Sequence, residues 1–387
     1  MRCCLTTSDD LSSIGGNEWS IRRIVDLLVD MGWEIHIVSF DLDKVEAVWG
    51  NDIPGVCALP GWRPKTRIFQ VQKTSGDPAH MYSHRAIAAA LERLHGLHHY
   101  DIFHAFFLST AGFITTLTGK RLGVPVIVSA RGSDINRDVY SSRRFAPVEW
   151  TLRTADQLTF VSRDLLTLAN IVAPCEHKSA VIHNSTSLGY FKISHPPPQP
   201  KPNLFTIGGA GTLSYKKNWP ELFEVCAKLR DRGVPVRLLW IGQPAAIEKE
   251  NMERALADLG LEDKVQWSGY VAHELILDLF YQLDVVVILS QDEGCPNALL
   301  EAMLTARPIV AYGVGAIPEI IRSGLEGIVI NPLRVWDVVD ELENLYNNPA
   351  LASRLGEAAQ MRVTQEHTPE QEGERWAEVY NRVRQAF

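Results

Sequence analysis

Much that would mark a specialised chemistry is missing from this chain of 387 residues. No stretch approaches the roughly 20 apolar residues that cross a bilayer. The opening MRCCLTTSDD lacks the apolar core of a signal peptide. Positive charge is not in excess. A formal net charge of -8 argues against a non-specific grip on nucleic acid, which needs a basic face. The six cysteines, Cys3, Cys4, Cys57, Cys175, Cys226 and Cys295, show no metal-ligand spacing. In a chain of this size they read as reduced, mostly buried thiols. There is no repeat of solenoid period, no G-x-G-x-x-G after the first strand, and no obvious covalent nucleophile. The expectation is a soluble, cytoplasmic protein that needs no metal and no bound cofactor, with peripheral contact at a membrane surface left open.

What is present is alternation. The runs WEIHIVSF, VPVIVSA, DQLTFVS, SAVIHN, VRLLWIG, KVQWSG, DVVVILS, PIVAY and EGIVIN are separated by amphipathic stretches. Near-continuous apolar strands between helices imply parallel sheets covered on both faces. SHPPPQPKPN interrupts the pattern and reads as a stiff linker, since proline cannot join a sheet interior. The α/β chain is therefore expected as two doubly wound, Rossmann-like domains facing a central cleft, residues 1–193 and 204–365, joined by a linker at 194–203. The tail, 366–387, places Trp376, Val379, Tyr380 and Val383 on one helical face. Such a helix is expected to pack back on the first domain.

The most informative stretch is DEGCPNALLEA, Asp292 to Ala302. It follows the buried strand DVVVILS, so its loop opens at a strand's carboxyl end, where open α/β sheets bind ligands. Asn297 is a good helix N-cap and ALLEAML supplies helix formers. The unpaired amides of that helix start favour a phosphate. Glu301, four residues on, lies about 6 Å down the axis with its side chain tilted back. Glu293 stands on the loop, on the other side of the amides. Carboxylates repel phosphate but accept hydrogen bonds from sugar hydroxyls. The arrangement suits a nucleotide sugar: ribose at Glu301, diphosphate at the helix start, transferred sugar at Glu293. Gly294, Cys295, Asn297 and Ala298 complete the donor-binding stretch.

DEGCPNALLEAMLTARPIVAYGVGAIPEII resembles the donor-binding signature of retaining glycosyltransferases of family 4, which have the GT-B fold. Its pattern is E-G-x-x-x-x-x-x-E-A-M, then a proline before an apolar strand, then G-x-x-P-E. IGGNEWSIRRIVDLLVDMGWEIHIVS, VPVIVSARGSD, TADQLTFVSRDL, VIHNSTSLGYF and GTLSYKKNWPELFEVCAKL resemble other landmarks of that family, so the likeness covers nearly the whole chain. It implies sugar transfer from a nucleotide diphosphate sugar, most often a uridine one, to a hydroxyl on a sugar, small-molecule or lipid-linked acceptor.

The supporting residues follow from that likeness. Lys217, rather than Lys216, takes the place of the lysine that neutralises the leaving diphosphate. Thr212 stands where the family usually has arginine, which leaves open whether another arginine substitutes or Thr212 itself bonds the phosphate. Gly15 and Gly16 would let backbone approach the donor ahead of a helix over Trp19–Met31. Arg131, in ARGSD, replaces a histidine that contacts the donor sugar; it would serve there or in an ion pair between domains. VIHNSTS departs from the family's N-G-x-D at a loop that seldom does chemistry. Asp41-Leu-Asp43 matches a metal-binding D-x-D by chance. GWRPKTRIFQVQK, rich in cations, reads as a solvated loop or as a contact for an anionic acceptor or membrane surface. Two other functions compete: a nicotinamide-dependent oxidoreductase, suggested by paired Rossmann-like domains, and a sugar-nucleotide binding module without turnover.

Overall fold

Strands form where β-branched and aromatic residues run together, and every described strand pair is parallel. The computed structural model describes residues 1–8, 16–39, 66–70, 81–194, 197–201 and 203–387, with 16, 17, 66–70 and 81–83 described by backbone alone. The chain divides into two units, Met1–His183 with Pro369–Phe387, and Asn184–Thr368.

In the first unit the strands are β1 (Arg2–Thr7), β2 (Glu34–Ser39), β3 (Thr66–Gln70), β4 (Ile102–Phe106), β5 (Val126–Ala130), β6 (Gln157–Phe160) and β7 (Ser179–Val181). They lie in the order β3-β2-β1-β4-β5-β6-β7. β3 is a correction to the sequence reading. TRIFQ, expected within a solvated loop, pairs along β2 from Ile35–Thr66 to Ser39–Gln70. Its β-branched and aromatic residues favour a pleated strand despite the flanking cations.

The C-terminal helix, Pro369–Ala386, packs on this unit as expected, with Trp376, Val379, Tyr380 and Val383 all buried. Their partners include Ile21, Ile24, Val25 and Leu28 of the Gly16–Asp30 helix and Cys3 and Leu5 of β1. Burying each such side chain stabilises by about 1.5–3 kcal/mol. A buried ion pair reinforces the contact: Arg23 Nε donates to Glu372 Oε2 at 2.6 Å.

The second unit contains β8 (Phe205–Gly208), β9 (Val236–Trp240), β10 (Val265–Trp267), β11 (Val285–Ile288), β12 (Ile309–Tyr312) and β13 (Ile328–Ile330). Their order is β10-β9-β8-β11-β12-β13. The chain runs outward from β8 to β10, then returns to lay β11 on the other side of β8. The switch point of this sheet therefore falls between β8 and β11, and the loops leaving their carboxyl ends diverge there. The described part of the proline-rich segment lies along this unit, where the Ser194 amide donates to Asp278 Oδ1 at 3.0 Å.

Candidate functional site

The loop after β8 and the loop after β11 meet at the switch point. After β8 the backbone needs glycine. A Cβ on Gly209 would stand 2.7 Å from the Val287 carbonyl, and Gly211 adopts φ 113°. The chain then makes a short turn over Tyr215–Lys217 and enters the Trp219–Asp231 helix through Asn218, which is left-handed at φ 58°. Glu248 anchors this turn, accepting from the Tyr215 amide at 2.8 Å and from Trp219 Nε1 at 2.7 Å. From the other side, the Gln291 amide donates to the Lys216 carbonyl at 2.9 Å and ties the two loops.

That tie brings the two residues expected to do chemistry into contact. Lys217 Nζ donates to Glu293 Oε1 at 2.6 Å, across 76 residues of sequence. Glu293 is buried and Lys217 only 20% exposed, whereas the neighbouring pair Lys216–Asp292, at 3.1 Å, is open to solvent. Burial opposes ionisation of Glu293. The Lys217 ammonium beside it, helped by Lys216 and the Ser290 hydroxyl, outweighs burial and holds the carboxyl below the usual range.

A third loop braces Glu293 from behind. The Ala316 amide donates to the Gly294 carbonyl at 2.8 Å. Gly315, at φ 55°, lies so close that a Cβ there would sit 2.3 Å from the Glu293 carbonyl oxygen. The glycine of G-x-x-P-E thus holds the carboxylate loop down.

The helix start differs from the expectation in one respect. The helix runs Asn297–Leu304, its capping position is Pro296, and no side chain caps it. Asn297 instead accepts from Asn184 Nδ2 at 2.9 Å, and the same Nδ2 donates to the Cys295 carbonyl at 2.7 Å. The Asn184 amide also donates to Cys295 Sγ at 3.4 Å. Asn184 belongs to VIHNSTS, read from sequence as a loop that seldom does chemistry. Its side chain orders the loop ahead of the Asn297–Leu304 helix, and the separation of 111 positions from Cys295 hid this. Pro296 and Ala298 line one crevice with Lys217, Ser290, Ala210 and Trp240 at the switch point.

Glu301 lies one turn into the helix, buried, with Oε1 2.7 Å from His273 Nε2. No sequence pattern singled out His273. Thr212 is exposed on the loop after β8. Arg131 stands in the first unit just past β5, its amide donating to Asp134 Oδ1 at 3.1 Å. Gly16 is the first residue of the Gly16–Asp30 helix. Gly15, the Asp41–Asp43 pair and Cys57 lie outside the described residues; among the described residues Cys3, Cys4, Cys175, Cys226 and Cys295 are buried and form no disulfide.

Two family models match in succession: Glycosyltransferase Family 4 over residues 14–188, and Glycosyl transferases group 1 over residues 192–362. The chain belongs to glycosyltransferase family 4, a family of enzymes. This sets the nicotinamide-dependent reading aside. Among curated relatives of the family 4 chain, the alpha-D-kanosaminyltransferase of Streptomyces kanamyceticus is 28% identical over 45% of this chain and 44% of its own. The 2-deoxystreptamine glucosyltransferase of the same organism is 27% identical over 37% of each. The chain thus spans less than half the length of these two relatives. The D-inositol 3-phosphate glycosyltransferase of Pseudarthrobacter chlorophenolicus is 22% identical over 90% of this chain and 86% of its own. The fold is that of GT-B proteins. Sucrose-phosphate synthase from Thermosynechococcus elongatus matches with TM-score 0.81 at 17% identity over 100% of both chains. Anabaena HepE in complex with UDP matches with TM-score 0.75 at 16% identity, over 98% of this chain and 100% of that one. Among the described residues no helix is long and apolar enough to cross a membrane.

Proposed function

We propose that this family 4 enzyme transfers a sugar, with retention of anomeric configuration, from a nucleotide diphosphate sugar to an acceptor hydroxyl. Uridine is our choice of base: HepE was solved with UDP and with UDP-glucose. Its acceptor is a sugar or small molecule, or a lipid-linked form of either; the named relatives act on 2-deoxystreptamine and D-inositol 3-phosphate. The observation that carries the reading is the Lys217–Glu293 contact of 2.6 Å at the switch point beside the Asn297–Leu304 helix start. It joins a cation for phosphate to a carboxylate for sugar hydroxyls in one place.

In the step we propose, the bond from the sugar's anomeric carbon to the phosphate oxygen breaks, and its electron pair leaves with the diphosphate. Lys217 and the helix amides meet that charge without a metal ion. The acceptor oxygen attacks from the leaving-group face, and its proton passes to the departing phosphate oxygen. Glu293, kept ionised by its neighbour, orients the sugar hydroxyls and faces the positive charge that builds on the ring. Glu301 accepts from the ribose. Arg131, Thr212, Gly15 and Gly16 remain our proposals for further donor contacts. Buried cysteines without a disulfide among the described residues fit a reducing compartment, and we place the enzyme in the cytoplasm, free or at a membrane surface.

The test is a panel of nucleotide sugars assayed for slow hydrolysis and for transfer, with the anomeric proton of the product read by NMR. Glu301→Ala is expected to weaken nucleotide affinity, and Glu293→Ala mainly to lower turnover. Transfer by both variants at the parent rate would sink the assignment, and an inverted product would sink its stereochemistry.

A further inference from the structure

His273 follows β10 in GYVAHEL, at the start of a short helical turn over His273–Leu275. Its Nε2 lies 2.7 Å from Glu301 Oε1, and the two side chains are only 15% and 7% exposed. A carboxylate oxygen only accepts, so Nε2 carries the proton of this bond. The imidazole is itself held from a second side. The Phe191 ring packs against it at 5.1 Å. Beside Phe191, the Lys192 amide donates to the Glu274 carbonyl at 2.6 Å, and Lys192 Nζ donates to Glu274 Oε1 at 2.7 Å. The arrangement has the form of a carboxylate oriented by a fixed imidazole.

We propose that His273 is a positioning residue for the nucleoside: it locks Glu301 in the rotamer that reads the ribose hydroxyls. This rests on the nucleotide-sugar reading given above. A glutamate has three rotatable bonds, and freezing them during binding costs affinity. With Oε1 already engaged by His273, the side chain meets the ligand ordered, and the carboxylate keeps acceptor capacity for hydroxyls. Were the pair only a brace between the loop after β10 and the helix, losing it would weaken every ligand alike. As a positioning device it acts on the ribose hydroxyls alone.

The experiment therefore reads a ratio. Titration calorimetry measures UDP, GDP and ADP on the parent enzyme, then the 2′,3′-dideoxy form of the tightest binder. The parent is expected to prefer the hydroxylated form by about tenfold, as hydrogen bonds to an ionised group allow. Glu301→Ala should abolish that preference. His273→Ala should reduce it to about the Glu301→Ala level, and so should His273→Asn, which is too short to reach. His273→Gln, whose amide nitrogen reaches the Nε2 position, should restore most of it. If His273→Ala and His273→Asn keep the parental ratio while Glu301→Ala loses it, the inference fails and the functional reading stands. If Glu301→Ala keeps the ratio, or no nucleotide binds the parent, the functional reading fails and takes the inference with it.

Discussion

The two units place their polar groups in opposite ways. In the first, a polar network centred on His104 sits inside the sheet and stays neutral. His104 on β4 bonds Tyr380 through Nδ1 and Ser129 through Nε2, both at 2.6 Å, and Ser129 meets Thr159 at 2.6 Å. Burial, with the Arg131 cation adding to it, pushes the imidazole down to about 3. Burial likewise drives Tyr380 upward and the Cys3 thiol up to about 12. In the second unit the central strands β11 and β12 are wholly buried, and the polar side chains discussed above gather where the loops leave their carboxyl ends. There a partner, not burial, decides the state: Glu293 remains charged because Lys217 touches it. Neutral buried polar groups hold architecture, here the C-terminal helix on its sheet. A charged pair kept at a loop junction is costly to bury, and the cost is offset where a ligand uses the charges.

That contrast can be broken at either end. The largest effect is expected at a buried ion pair that serves architecture, Arg23–Glu372, with side chains only 8% and 2% exposed. Removing one partner strands the other charge, so Glu372→Ala should cost about 3–5 kcal/mol of stability in denaturant unfolding. A change below 1 kcal/mol would mean that the C-terminal helix is held by its apolar face alone. Slightly smaller, and on rate, is the loss expected at Lys217–Glu293. Lys217→Met and Glu293→Gln should each lower kcat by about 10²–10³. Because they touch one another, the double variant should be little worse than either. Multiplicative losses would show that the two act on separate parts of the donor.

How far this was readable from sequence follows the same division. The two sheets, the terminal helix and the carboxylate loop lie in local patterns: apolar runs, a 3.6-residue stripe, a glycine and proline before helix formers. The two catalytic candidates were also local, each next to its own strand end. Their pairing was not, because it depends on a chain reversal that lays β11 beside β8. Asn184 and His273 escaped for the same reason. Each makes its decisive bond to a residue far along the chain, 111 and 28 positions away, and neither has a neighbour that marks it. Asn297 was misplaced as a cap because propensity favours it there, while Pro296 already supplies an extended residue before the helix at φ -70°, ψ 119°.

The pH dependence of stability gives a third, milder test. An unfolded histidine takes its proton near pH 6.5, but His104 does so only at about 3. For a base with a depressed native pKa the stabilising contribution is complete above about pH 6.5 and falls as the pH drops toward the native value. The expected slope from this residue is about 1.4 kcal/mol per pH unit. Glu293 has the same sign but a lower window: its carboxyl is depressed, so its contribution fades only below the ordinary carboxylate range. Urea unfolding between pH 6.5 and 5 covers this window, which His95, also lowered chiefly by burial, shares; the difference between the parent and a His104 variant isolates the share of His104. His104→Gln, which keeps a donor and an acceptor, should flatten the curve there relative to the parent; an unchanged slope would return the effect to other groups.

The smallest effect is expected at Thr212, where the chain departs from its family. The residue is exposed on the loop after β8, next to Gly211, where an added Cβ would lie 3.7 Å from Lys217 Cε. An arginine there would face a site that already holds Lys217, with Lys216 paired to Asp292 nearby. A solvent-exposed cation adds only about 0.5–1 kcal/mol of attraction for a diphosphate, and salt screens it. Thr212→Arg should thus lower the donor KM by about threefold at low ionic strength, leave kcat nearly unchanged, and lose its advantage in 0.5 M salt. A large rise in kcat would point the other way: the cationic clamp is incomplete in this chain, and Lys217 does not by itself meet the charge of the leaving group.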